Sequence, residues 1–124
     1  MSSRWKQLLA LATEEVGETL ETLPAGLRQE ASQVHVRYES VPGPELTEDG
    51  IEPDTLGLFV GNTYADGVSA GPYPTRIFLF LENLWEFADG DEAIYREEIR
   101  RTMLHELGHY LGLDEEDLTD RGLD

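Results

Sequence analysis

Residues 105–109 read HELGH, with two histidines four positions apart and a glutamate directly after the first. On a helix, residues four apart differ by only about 40° around the axis, so both imidazoles point the same way. Two such nitrogens can hold one zinc ion at about 2.0–2.1 Å each. Glu106 lies about 100° further around the axis, within reach of a water that zinc activates. We therefore predict a zinc site with His105 and His109 as ligands and Glu106 as catalytic base, an arrangement whose chance expectation is on the order of 0.01.

A catalytic zinc ion needs a third protein ligand and one open position. The chain has no cysteine, so that ligand must be His, Asp or Glu, and the remaining histidine, His35, lies far upstream. Gly112 allows a sharp turn after the helix, which places Glu115 where the extended HExxHxxGxxH motif has its third ligand. We predict Glu115 as that ligand. Its acidic neighbours remain alternatives: Asp114, Glu116 and Asp117.

Hydrophobic periodicity predicts the elements that position this site. Apolar spacings of three and four predict a first helix over 3–22, and a second begins with an Asp91 cap and runs to Leu111, ended by Gly112. On the latter, one apolar arc faces the core and the histidines lie opposite. Strands are predicted at 34–39, 55–60 and 76–82, with a short helix at 24–30 and loops at 41–54 and 61–74. The order predicts one α+β domain over 1–124, with helices covering one face of a small sheet.

Composition limits the possible partners and locations. The net charge is -17, from 26 acidic and 9 basic residues, which opposes binding to nucleic acid and to anionic membranes. The first 20 residues interleave charges with apolar residues, unlike a signal peptide, and no apolar run reaches the roughly 20 residues of a membrane span. We expect a cytoplasmic protein that binds neither nucleic acid nor membrane.

The sequence resembles a family of short bacterial zincin-like proteins described as predicted metallopeptidases. LGLFVG at 56–61, RIFLFLE at 76–82 and EEIRRTMLHELGHYLGLDEEDL at 97–118 carry the resemblance, the last most specifically. It implies a compact zincin core, namely a backing helix, a small mixed sheet and an active-site helix, with a peptide or protein as substrate. It also implies that the strand Ile77 to Leu81 is an edge strand that pairs with bound peptide.

The motif leaves several functional questions open. Larger zincins place a Tyr or His after the motif to stabilise the oxyanion, and neither residue type follows Glu115 here; the substitutes available are Arg121, Arg76, Tyr64 and Tyr73. A metal-dependent ribonuclease motif, HGxLHLxGYDH, is partly echoed by His105, His109, Gly112, Leu113 and Asp114. Glu106 in place of Gly and the net charge oppose that reading. A non-catalytic zinc-binding or interaction module is the third possibility, but it has no need of Glu106.

Overall fold

A computed structural model describes residues 3–61, 75–112 and 116. Within them, helices and strands combine into the α+β arrangement that the sequence predicts. The elements in chain order are α1 Ser3–Glu21, α2 Ala25–Ala31, β1 His35–Glu39, α3 Pro44–Glu48, β2 Gly57–Val60, β3 Arg76–Phe80, α4 Leu81–Phe87 and α5 Glu92–Leu111. None of the helices in these ranges is both long enough and apolar enough to cross a bilayer.

The sheet is mixed, as the resemblance implies, and its strand order is β1-β3-β2. β1 runs parallel to β3, whereas β2 runs antiparallel to it. β3 is therefore the central strand, and the prediction that Ile77 to Leu81 forms an edge strand is wrong. Among the described residues, β2 is hydrogen-bonded on one side only, so β2 is the edge strand that adjoins α5.

The residues of β3 explain its central place. Ile77 and Leu79 are fully buried in the core that the helices form. Phe78 and Phe80 alternate with them and so lie on the other face of the sheet, where their rings stack with centroids 5.9 Å apart. A strand that is apolar on both faces is typical of a position covered on both sides.

Helix α1 is the predicted backing helix, and it packs against α4 and α5. It buries Leu8, Ala12 and Val16 on one stripe. The Tyr95 hydroxyl of α5 donates a hydrogen bond of 2.9 Å to the Leu8 carbonyl, which ties the two helices together inside the core. Burial raises the pKa of Tyr95 above its usual 10.0, and the charge of Glu82 and the neighbouring Tyr38 raise it further.

Two segments differ from the sequence prediction. The loop expected at 41–54 contains helix α3, which starts with Pro44 in the first turn and carries Glu45 there, both favourable at a helix N terminus. The strand expected over 76–82 ends at Phe80, and α4 begins at the next residue. The Glu82 amide still donates to the Ser40 carbonyl at 3.1 Å, one step beyond the last β1–β3 pair, so the first turn of α4 remains tied to the end of β1.

Candidate metal centre and active site

Helix α5 carries the histidine motif, and both of its ends form as predicted. Asp91 caps the N terminus, with its carboxylate accepting from the Ile94 amide at 3.0 Å. Gly112 closes the C terminus in the left-handed conformation, at φ 74° and ψ 24°. A side chain at that φ is strained, so glycine allows the helix to stop one turn after the motif.

The two histidines lie side by side on the exposed face of α5. Their Nε2 atoms are 3.2 Å apart, and the two ring planes make an angle of 85°. The side chain of His105 is 44% exposed, and His109 is also exposed. Both imidazoles therefore present one nitrogen to the same point in space, with solvent access to it.

Glu106 lies beside the histidines but is far less exposed, at 12% of its side chain. Its Oε2 is 3.9 Å from His105 Nε2. On the other side it adjoins β2, because a Cβ added at Gly57 would stand 3.4 Å from Glu106 Cγ. The carboxylate is thus held between the edge strand and the helix, with one end facing the histidine pair.

The opposite face of α5 enters the core, as the helical wheel predicts. Five residues of the predicted arc are 0–3% exposed, and Leu111 is partly buried. The Tyr110 ring meets Phe59 of β2 at a centroid distance of 5.9 Å. The buried members of the arc are Ile99, Met103, Leu104, Leu107 and Tyr110.

Three residues of α5 near the motif were not identified from the sequence. Glu98 and Thr102 are buried, although both are polar, and they share a stripe with Glu106 at intervals of four. With Arg101, they line the cavity that also holds His105 and Glu106. The spacing at 98, 102 and 106 is visible in the sequence, and a polar stripe on the helix that carries the motif is the signal that would have indicated Glu98 and Thr102.

Of the other predicted site residues, two are described by the structure and the rest lie outside the described residues. Glu115, the predicted third ligand, lies outside the described residues and stays a prediction. Of its rivals only Glu116 is described, and it is exposed. Arg76 lines a cavity with His35, Val36 and Arg37, separate from that of His105 and Glu106. The remaining candidates also lie outside the described residues: Asp114, Asp117, Tyr64, Tyr73 and Arg121.

The geometry of the histidine pair fits a zinc ion. Two ligands at about 2.05 Å and a tetrahedral angle stand about 3.3 Å apart. The observed separation of the two Nε2 atoms is 3.2 Å. The potential ligand atoms of His105, Glu106 and His109 all lie within 4.8 Å of one another. The donor set of nitrogen and carboxylate oxygen also suits zinc, which needs no sulfur ligand.

Comparison with known protein families agrees with the zinc-binding geometry of the histidine pair. A family model described as "Zincin-like metallopeptidase" matches residues 31–123, which is most of the chain and includes the histidine motif. No curated protein shows significant sequence similarity to the chain.

Proposed function

Because the chain belongs to the zincin-like metallopeptidase family, we propose that it is a zinc-dependent peptidase with Glu106 as its catalytic base. His105 and His109 hold the ion in this proposal, and Glu115 completes the ligand set. The substrate is a peptide or protein, encountered in the cytoplasm, and neither nucleic acid nor membrane is a partner. The observation that carries the proposal is the 3.2 Å separation of the two Nε2 atoms, which matches two ligands of one tetrahedral ion.

A bound zinc ion supplies a Lewis acid that polarises a carbonyl and brings the pKa of water to about 7. The work of the chain is to place groups around that ion. Helix α5 fixes both imidazoles on one rigid backbone, so little reorganisation is needed on binding. Glu106 accepts the proton of the attacking water and passes it to the leaving amine.

The position of Glu106 supports a catalytic role over a purely structural zinc site. A structural site is closed by four protein ligands, and it has no need of a carboxylate beside its histidines. Here the carboxylate is mostly buried against β2, while the two histidines remain open to solvent. A substrate can thus approach from the histidine side and still meet the base.

Zinc stoichiometry tests the ligand assignment. We expect about one zinc per chain, measured by elemental analysis after gel filtration, and we expect His105→Ala or His109→Ala to abolish binding. Two remaining ligands cannot hold the ion tightly. His35→Ala is the matched control, because His35 is exposed on β1 in a different cavity. Stoichiometric zinc in the double variant His105→Ala/His109→Ala would show that the ion binds elsewhere.

A further inference from the structure

The cavity at the proposed active site continues beyond the histidine motif towards the N terminus of α5. Its volume is about 320 Å³, near the lower limit of small-molecule sites. Leu56 and Gly57 form the wall on the strand side. The helix side is formed by Glu98, Arg101, Thr102, His105 and Glu106. The proposed base therefore shares one small cavity with an arginine to which the mechanism above assigns no role.

Arg101 is held in place by two carboxylates of its own helix. Its Nη1 donates to Glu98 at 3.1 Å and its Nη2 donates to Glu97 at 3.2 Å. The Glu98 side chain is 9% exposed, whereas that of Arg101 is 63% exposed. A buried anchor thus fixes one edge of an open guanidinium. A guanidinium has five N–H donors, so donors remain for a planar anion.

The distance from Arg101 to the motif corresponds to a short stretch of peptide. Arg101 and His105 are one turn apart, which is a rise of about 6 Å. An extended peptide advances about 3.3 Å per residue, so a carboxylate at Arg101 lies one or two residues beyond a carbonyl near His105. A small cavity of this volume agrees with such a short occupant.

The direction in which such a peptide would run also suits pairing with the edge strand β2. Gly57 adjoins Thr102 and Glu106, and Phe59 contacts Tyr110, so β2 and α5 run the same way. A peptide with its C terminus at Arg101 runs the opposite way, antiparallel to β2. That is a favourable orientation for pairing with the strand edge, which no other described strand occupies.

We propose that Arg101, positioned by Glu98, binds the C-terminal carboxylate of the substrate, so that the protein removes one or two residues from peptide C termini. This inference rests on the proposed function. Water adds across the scissile C–N bond: its hydroxyl joins the acyl carbon and its proton goes to the leaving amine. The specificity would then come from a charge on the leaving fragment rather than from a side chain.

A matched pair of peptides tests this proposal, with one sequence made as the free acid and as the C-terminal amide. We expect the zinc-loaded protein to cleave the acid at least tenfold faster in kcat/KM, and mass spectrometry to show loss of one or two C-terminal residues. Arg101→Gln should bring the kcat/KM of the free-acid peptide down to that of the amide, mainly through KM. Arg100→Gln removes the same charge one residue away, outside the cavity, and should change neither peptide.

Two cleavage results overturn the proposal, and one binding result does so independently. One is equal cleavage of acid and amide by the wild type, which leaves the peptidase activity intact and removes only the role of Arg101. The other is that the wild type prefers peptides with a basic side chain and that Arg101→Gln strengthens this preference. Glu98 would then be the residue that recognises the substrate. Binding of both peptides to zinc-loaded Glu106→Gln, measured by calorimetry, does not depend on turnover. Equal affinities there reject the carboxylate site even if no peptide is cleaved.

Discussion

Gly57 is the point where the edge strand comes closest to the catalytic helix, and Gly57→Ala tests whether that approach matters. A Cβ at this position would overlap Thr102 Cγ2 and stand 3.3 Å from the Phe78 carbonyl oxygen. Ordinary contact begins at 3.4 Å, so strand and helix must separate by about 1 Å. Thr102 is β-branched and buried on the helix, which leaves it little freedom to move aside.

Overpacking of this kind costs about 1–3 kcal/mol of unfolding free energy. We expect urea denaturation of Gly57→Ala to show a loss in that range. Because Glu106 lies against the same strand, hydrolysis should fall further than stability explains, and a shift of about 1 Å can cost about 100-fold in rate. Zinc content should remain unchanged, since both histidines are carried by α5 itself.

The second substitution Thr102→Ser supplies the decisive comparison. It removes the methyl group in the closest contact and keeps the hydroxyl, so Gly57→Ala/Thr102→Ser should recover much of the loss. Gly17→Ala is the control, because nothing lies within 4 Å of a Cβ there and alanine favours a helix. Wild-type stability and hydrolysis in Gly57→Ala, or no recovery in the double variant, would refute the close packing of β2 on α5.

Two further substitutions test the core and the ligand set. Tyr95→Phe removes the buried hydrogen bond to the Leu8 carbonyl and should cost about 0.5–1.5 kcal/mol in denaturant unfolding. The raised pKa of Tyr95 means that the folded state keeps its proton when the unfolded chain releases it, so wild-type stability should fall as pH rises above about 10 and Tyr95→Phe should reduce that fall. An unchanged alkaline slope would contradict the burial of that hydroxyl. Glu115→Ala should weaken zinc affinity far more than Asp114→Ala, Glu116→Ala or Asp117→Ala, measured by chelator competition; loss of a supporting residue alone costs about 10–100-fold. A mild effect of Glu115→Ala beside a severe one at Asp114 or Asp117 would move the third ligand.

The sequence predicts the two long helices, α1 and α5, well because their signals are local. The first helix follows from the apolar spacing of Leu8, Ala12 and Val16, and the last from the Asp91 cap and the Gly112 stop. The histidine pair follows from the same helical geometry, since a spacing of four places both rings on one face.

Strand order could not be predicted in the same way, because it depends on contacts between distant segments. The resemblance assigned the edge position to 77–81, and the structure gives it to β2. The continuous apolar run of β3 places apolar side chains on both faces of the sheet, and in hindsight this indicates a covered central strand. Helix α4 was missed because it follows β3 without a turn, so one apolar run contains two elements.

Two cavity-lining residues of α5, Glu98 and Arg101, were missed for a different reason. Glu98 and Arg101 are charged residues on a helix, and such residues usually form a solvated face. The structure nevertheless buries Glu98, and Glu98 and Arg101 line one cavity with His105, Leu56 and Gly57.

The rate of peptide hydrolysis by zinc-loaded Glu106→Gln, compared with the wild type at equal zinc content, tests the central claim most directly. The amide keeps the shape of the carboxylate but cannot accept a proton. The variant should therefore keep about one zinc per chain and lose hydrolysis by about 100- to 10,000-fold, the usual contribution of a general base. Cleavage at the wild-type rate by the fully loaded variant would contradict the assignment of Glu106 as the catalytic base.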